Sequence, residues 1–192
     1  MASRDIHQVR VVDKRADILK AATEIMRDEG YAGVTSRRIA ERAGLKSKLV
    51  HYYFKSMDDL FLAVYRAAEE QYHERQAKAL ISDNPLRALW ALNSDSFNTR
   101  VLQEFIALAS HHEPLRKEIA RSSQRSRVTQ SVAFENARTK MPKRIPDLSP
   151  EFLSLLMTAT ARLMAMDRVL GVSAGHADAK SWIKEVLDQL EN

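Results

Sequence analysis

The stretch TSRRIAERAGLKSKLVHYYF, residues Thr35 to Phe54, reads as two short helices joined by a turn at Gly44. Thr35 and Ser36 can each accept from the free N–H groups at a helix start. The helix that follows carries Arg37, Arg38, Ile39, Ala40, Arg42 and Ala43, with Ile39 and Ala43 facing inward. Gly44 ends it, and Leu45 supplies an apolar plug for the turn. A further helix is predicted from about Lys46 to Phe54. Val50 and Phe54, four apart, make its buried edge, while Lys46, Ser47, Lys48, His51 and Tyr52 fall largely on its outer surface. Such a helix–turn–helix, with small residues where the helices approach, sets a recognition helix into the DNA major groove. The outward side chains are donors suited to phosphates and base edges. The candidate DNA-binding residues are Thr35, Ser36, Arg37, Arg38, Lys46, Ser47, Lys48, His51, Tyr52, Tyr53 and Lys55. A generic short helical hairpin is the competing interpretation.

Charge placement favours DNA. Residues 1–55 hold twelve Lys/Arg against seven Asp/Glu, a net of +5, and residues 56–192 hold eighteen of each, a net of zero. The whole excess therefore lies around the two short helices, where it attracts phosphate at long range. A second basic run, Arg116 to Arg144, has nine basic and two acidic residues with no binding motif, and reads as a solvated helix face.

Working outward, a first helix is expected from about Asp13 to Glu29. Asp13 is its cap, Ile18, Ala22, Ile25 and Met26 form one face, and Gly30 ends it. A fourth helix begins at Ser56, which with Asp59 approximates a capping box, and continues to about Leu80. Beyond it, Pro85 opens a helix, another spans about Thr99 to His111, and Pro114 starts a long polar one. A two-proline loop covers Met141 to Ser149. Ser149-Pro150-Glu151 is a strong helix start, and the apolar helix it opens ends at Gly171. A last helix spans about Ala177 to Leu190. No glycine lies between residues 45 and 170, and no convincing period-two strand occurs, so the chain reads as all-α.

Composition excludes several classes. The chain has 192 residues, 45% hydrophobic and 29% charged, enough for a folded core. It has no cysteine, which rules out thiolate zinc sites, disulfides and cysteine nucleophiles. No apolar run approaches a membrane span, and the first residues lack a signal-peptide core, so a cytoplasmic protein is expected. There is no glycine-rich phosphate loop, no His-Glu-x-x-His and no Gly-x-Ser-x-Gly, so no catalytic residues and no enzyme are expected. No metal and no cofactor are expected. The adjacent His111 and His112 point to different helix sides, without chelating neighbours.

Residues 15–64 resemble the N-terminal DNA-binding domain of TetR-family regulators. The resemblance rests on Ile18-Leu19, Ala21-Ala22, Gly30-Tyr31, Thr35, Ile39-Ala40, Ala43-Gly44, Tyr53-Phe54, Ser56 and Leu60. Three positions depart from the family pattern. Lys46 and Lys48 stand where a serine and a glycine are usual, and His51 where a tyrosine is usual, so this recognition helix is more basic than typical. The resemblance implies an Ω-shaped homodimer of roughly nine helices per chain. A DNA-binding domain of residues 1–57 would precede a helical ligand-binding and dimerisation domain of residues 58–192. The last two helices would form the dimer interface, with Phe152, Leu155, Leu163, Met166, Trp182, Val186 and Leu190 as candidates. The middle helices would enclose a pocket for a small apolar or amphipathic effector. Trp90, Asn93, Phe97, Phe105, His112, Met157, Thr160 and Met164 are its candidates, and they suit an ordinary core equally well. The function implied is a repressor released from a palindromic double-stranded operator by that effector. A regulator of the same fold without an inducer, or an activator, remains the alternative.

Overall fold

The structure, a computed structural model, describes residues 2–137 and 148–191, and the side chains of all of these except 2–13 and 96–98. Among them are nine α-helices, one 3-10 turn and no strand. The helices are α1 (Ala2–Glu29), α2 (Ser36–Arg42), α3 (Ser47–Tyr53), α4 (Met57–Leu80), α5 (Pro85–Asn93), α6 (Ser96–Ala109), α7 (Glu113–Ala137), α8 (Pro150–Leu170) and α9 (His176–Glu191), with the 3-10 turn at Tyr31–Gly33.

Two starts differ from the sequence reading. α1 begins at Ala2, so Asp13 falls inside it and is not a cap. The first 29 residues contain neither glycine nor proline, so nothing there breaks a helix. α6 begins at Ser96, one turn earlier than expected. The proline loop lies outside the described residues as far as 147. No helix among the described residues is long and apolar enough to cross a membrane.

The chain divides into two compact units. The first comprises the residues through Glu70 together with Val101–Glu118. Its core is built from Ile18, Ala22, Ile25 and Met26 of α1, Ile39 of α2, Val50 and Phe54 around α3, and Leu60 and Val64 of α4. Each large aliphatic buried this way stabilises the unit by roughly 1.5–3 kcal/mol. From the 101–118 segment, Phe105 and Leu115 are also buried, and Phe105 meets Tyr65 edge-to-face at 5.2 Å between ring centroids.

The second unit comprises Gln71–Arg100 and the residues from Ile119 onward. Leu86, Leu89, Phe134, Met157, Leu187 and Leu190 form its apolar core. Beside that core runs a chain of neutral polar side chains. Gln130 is its hub. Its carbonyl oxygen accepts from Asn93 Nδ2 at 3.1 Å and Thr158 Oγ1 at 3.2 Å, and its amide donates to the Tyr72 hydroxyl and to Ser126 Oγ, each at 3.2 Å. Gln76 donates to Ser126 Oγ at 2.8 Å, and His73 links Gln76 to Ser122. Gln76 and Gln130 are 0% and 1% exposed, so each amide must find its partners inside the protein. Ser149 caps α8 by accepting from Phe152 N–H at 3.2 Å, and Gly171 ends it at φ +75°.

Candidate nucleic-acid interface

The turn at Gly44 fixes how α3 leaves α2. Ala43 caps α2, Gly44 follows in the left-handed region at φ +65°, and two hydrogen bonds close the end. Leu45 N–H donates to Ala40 O at 2.8 Å and Gly44 N–H to Glu41 O at 3.2 Å. This is the paired bonding that ends a helix on a left-handed glycine. It satisfies carbonyls that α2 would leave open and sends the chain directly into α3. At the other end of α2, Thr35 accepts from Arg38 N–H at 3.3 Å, the cap its hydroxyl implied.

Val50 and Phe54 pin α3 to the core, as their spacing required, with Leu49 and Tyr53 half-buried beside them. Lys46, Ser47, Lys48, His51, Tyr52 and Lys55 are all exposed, Tyr52 by 78%. His51 and Tyr52 lie three and four residues after Lys48 and so share one side of the helix with it, and Lys55 follows just past the Phe54 cap. Tyr53 is half-buried, and its ring stands edge-on to Tyr52 at 5.3 Å. A cleft of about 540 Å³ opens beside it, lined by Tyr53, Phe54 and Lys55, by Arg15 and Leu19 of α1, and by α4. Arg15, which the sequence left unassigned, holds its guanidinium 5.3 Å from the Phe54 ring centre.

The arginines of α2 divide. Arg38 makes a two-pronged pair with Glu29 at the end of α1, one prong being Nη2 to Oε1 at 2.6 Å. Arg42 lies 3.6–3.8 Å from Glu24, Asp28 and Glu29. Arg37 is exposed, and among the described residues no acid pairs with it, nor with Lys46, Lys48 or Lys55. Asp28 is held below the usual carboxylate range, first by its hydrogen bond to Arg27. In and beside α2 and α3 the exposed cations available to an anionic partner are therefore Arg37, Lys46, Lys48 and Lys55. Ser36 is half-buried at the first turn of α2.

The candidate pocket residues fall into both units. Phe105 and His112 belong to the first. His112 Nδ1 accepts from Leu115 N–H at 3.0 Å at the start of α7, and its Nε2 lies 3.6 Å from Asp58. Trp90, Asn93, Met157, Thr160 and Met164 belong to the second. Asn93 is a member of the Gln130 network, Met157 and Met164 are buried, and Trp90 and Thr160 are half-buried. Phe97 lies in the first turn of α6, its side chain outside the described ones. Sequence reasoning missed Tyr72, Gln76, Ser122, Ser126 and Gln130. Their signal was present: Ser122, Ser126 and Gln130 recur at four-residue steps, as do Tyr72 and Gln76, polar residues at the spacing of a buried face.

Of the candidate interface residues, Phe152, Leu155, Leu163 and Trp182 are exposed, Leu163 by 53% and Trp182 by 62%. Met166 and Val186 are half-buried, and Leu190 belongs to the unit's own core. Leu156, Val169 and Leu170 add to the exposed apolar surface of α8.

Comparison with known proteins bears on this geometry. Residues 18–64 match the family model described as bacterial regulatory proteins, tetR family. The transcriptional repressor NicS of Pseudomonas putida is 31% identical over 64 residues, 33% of this chain and 30% of that protein. The chain thus spans about a third of that relative's length. Among solved structures, a TetR-family transcriptional regulator from Rhodococcus sp. is 20% identical with a TM-score of 0.73, covering 94% of this chain and 100% of that one. A transcriptional regulator from Saccharomonospora viridis in complex with choline is 19% identical with a TM-score of 0.75, covering 85% and 88%. At such identities the likeness speaks for the fold. Residues 18–64, with the Thr35 cap and the Gly44 turn, thus form a DNA-binding head of the kind that the family of bacterial regulatory proteins, tetR family, carries.

Proposed function

We propose that this chain is a sequence-specific DNA-binding transcriptional regulator that acts as a homodimer in the cytoplasm, most simply as a repressor released from a palindromic operator by a small effector. The observation that carries the reading is the outward face of α3, where Ser47, Lys48, His51 and Tyr52 are exposed between the flanking Lys46 and Lys55 on a helix whose exit from α2 is fixed by two hydrogen bonds. Lysine, serine and histidine donors on such a helix bind phosphates and base edges in the major groove. Thr35, Ser36, Arg37 and Tyr53 would flank it on the backbone, with Arg38 holding α2 in register.

The exposed apolar residues of α8 and α9 support self-association, since a monomer gains nothing from Leu163 and Trp182 in water. An effector would enter the second unit, where Asn93, Tyr72, Thr158 and Gln130 offer neutral donors and acceptors beside Met157 and Met164. That chemistry suits a compound with hydrogen-bonding groups as well as an apolar part. It would release DNA in proportion to its preference for the unbound conformation.

Selection of duplexes from a random library tests the reading. Enrichment of an inverted repeat with half-sites one or more helical turns apart is expected. Lys46→Ala and Lys48→Ala should each weaken binding to the enriched duplex, by about 1–3 kcal/mol where the lysine reads a base. Failure of the wild-type protein to enrich any sequence would end the proposal.

A further inference from the structure

Resting on the DNA-binding reading above, we infer that Glu104 of α6, far outside the helix-turn-helix in sequence, is a positioning residue for DNA recognition: its carboxylate holds the pivot between α1 and α2 through the Tyr31 N–H.

The pivot is unusual in its backbone. Gly30 ends α1 at φ 77° and ψ 172°, a combination essentially confined to glycine. It turns the next N–H, that of Tyr31, away from the helix it has just left. The acceptor is Glu104 Oε2 at 2.8 Å, 73 residues along the chain. The carboxylate lies directly over Gly30. A Cβ built at that position would sit 3.1 Å from Glu104 Oε2 and 3.5 Å from its Cδ and Oε1. The backbone conformation thus selects glycine here, and a Cβ would in addition press on the one carboxylate that holds the turn.

What the pivot carries is α2. Glu29, the residue before Gly30, is paired with Arg38 on both prongs, and Arg42 one turn later lies near Glu24, Asp28 and Glu29. Gly33, in the same 3-10 turn, has Glu29 Cβ 3.0 Å from where its own Cβ would be. The segment from Glu29 to Arg38 therefore has little freedom of its own, and its orientation follows the turn at Gly30–Tyr31. α3 follows α2 through the fixed turn at Gly44. On the α6 side, Phe105, the residue after Glu104, is buried against Tyr65 of α4. Glu104 accordingly works as a strut between a helix anchored on α4 and the turn from which α2 and α3 set out. An ionised acceptor on a backbone N–H is among the stronger hydrogen bonds, so the strut is well suited to fixing an angle.

The test compares Glu104→Ala, Glu104→Gln and Glu104→Met in the full chain, with three readouts. These are affinity for the duplex that the wild-type protein selects from a random library, affinity for a random-sequence duplex, and exchange of the Tyr31 amide by NMR. Glutamine keeps an oxygen acceptor, whereas alanine and methionine do not. Methionine preserves length and serves if the alanine variant does not fold. The expected result is a loss of tenfold or more on the selected duplex for Ala and Met. Their affinity for the random duplex should hold, and the Tyr31 amide should exchange faster. Glu104→Gln should stay within threefold of wild type on the selected duplex. Wild-type affinity of Glu104→Ala for the selected duplex overturns the inference. So does an equal loss in the Gln and Ala variants, because charge and not the hydrogen bond would then be responsible. If the wild-type protein selects no sequence at all, the DNA-binding reading fails, while unchanged Tyr31 exchange in the Ala and Met variants is what refutes the strut.

Discussion

Replacing Gly44 by alanine isolates the turn between α2 and α3. A Cβ there meets nothing within 4 Å, so no steric clash accompanies the change. The remaining cost is the left-handed backbone, φ +65°, which an L side chain disfavours by about 1–2 kcal/mol. If the chain instead leaves that conformation, the bonds from Leu45 N–H to Ala40 O and from Gly44 N–H to Glu41 O are lost, which costs a similar amount. Either route destabilises the head by about 1–2 kcal/mol, a factor of roughly 5–30 in its opening equilibrium. Asparagine visits the left-handed region more readily, so Gly44→Asn should cost less than Gly44→Ala. Tryptophan fluorescence is the wrong probe, because Trp90 and Trp182 both belong to the second unit. Amide exchange reads the head directly. The Leu45 and Ala43 amides should exchange roughly 5–30 times faster in Gly44→Ala, with the asparagine variant between it and wild type. Unchanged exchange in Gly44→Ala, or a larger loss in Gly44→Asn, would refute the argument that backbone conformation selects glycine here.

Three further outcomes are expected. Gln130→Leu removes the hub of the buried network, strands the buried Asn93 Nδ2 and takes the acceptor from the half-buried Thr158 Oγ1; at about 1–3 kcal/mol for the unsatisfied buried amide it should lower the urea midpoint of the second unit, read by tryptophan fluorescence. Asp188 is held below its ordinary value of 3.8 by hydrogen bonds from Lys184 and Arg87. A depressed carboxylate contributes stability above its unfolded pKa and loses it as pH falls through the lower folded value, so wild type and Asp188→Asn should differ in melting temperature at neutral pH and converge below about pH 4. If the proposed homodimer forms through α8 and α9, Trp182→Glu, which charges a residue 62% exposed on the apolar surface, should shift sedimentation from dimer to monomer without moving the monomer's melting temperature by more than about 2 °C.

The head was legible from the sequence because its signals are local. Thr35 before Arg38, Gly44 before Leu45, and the four-residue step from Val50 to Phe54 each specify a bond or a contact within a few residues, and each is found. α1 was misjudged at its start for a related reason. Asp13 is a good cap in isolation, but a cap ends a helix only where the chain before it is free to leave the helical path, and nothing in the preceding residues requires that. The second unit was harder to read because its chemistry is non-local. Tyr72, Asn93, Gln130 and Thr158 come from four helices, and only their folded positions make one network of them. The same holds for Glu104, whose partner lies 73 residues away and whose sequence neighbourhood carries no motif.

Charge shows most clearly what the fold adds to the sequence. A surplus of +5 in residues 1–55 does not say whether the positive side chains point together or cancel one another. The structure sorts them. The acids Glu24, Asp28 and Glu29 gather at the end of α1 and take up Arg27, Arg38 and Arg42. Pairs of this kind between exposed groups contribute little to stability, typically below about 1 kcal/mol each. Their larger consequence is for the field. By neutralising three arginines near the α1–α2 junction, they leave Arg37, Lys46, Lys48 and Lys55 as the exposed cations in and beside α2 and α3 that no acid among the described residues takes up, three of the four in or beside α3. Charge-reversing Glu29 would free Arg38 and raise the net charge further. On the phosphate-steering argument alone, nonspecific affinity should rise with it. Selective affinity should fall, because the freed arginine no longer holds α2 against α1. A Glu29→Lys variant that gained affinity equally for selected and random duplexes would show that the junction supplies charge and not geometry.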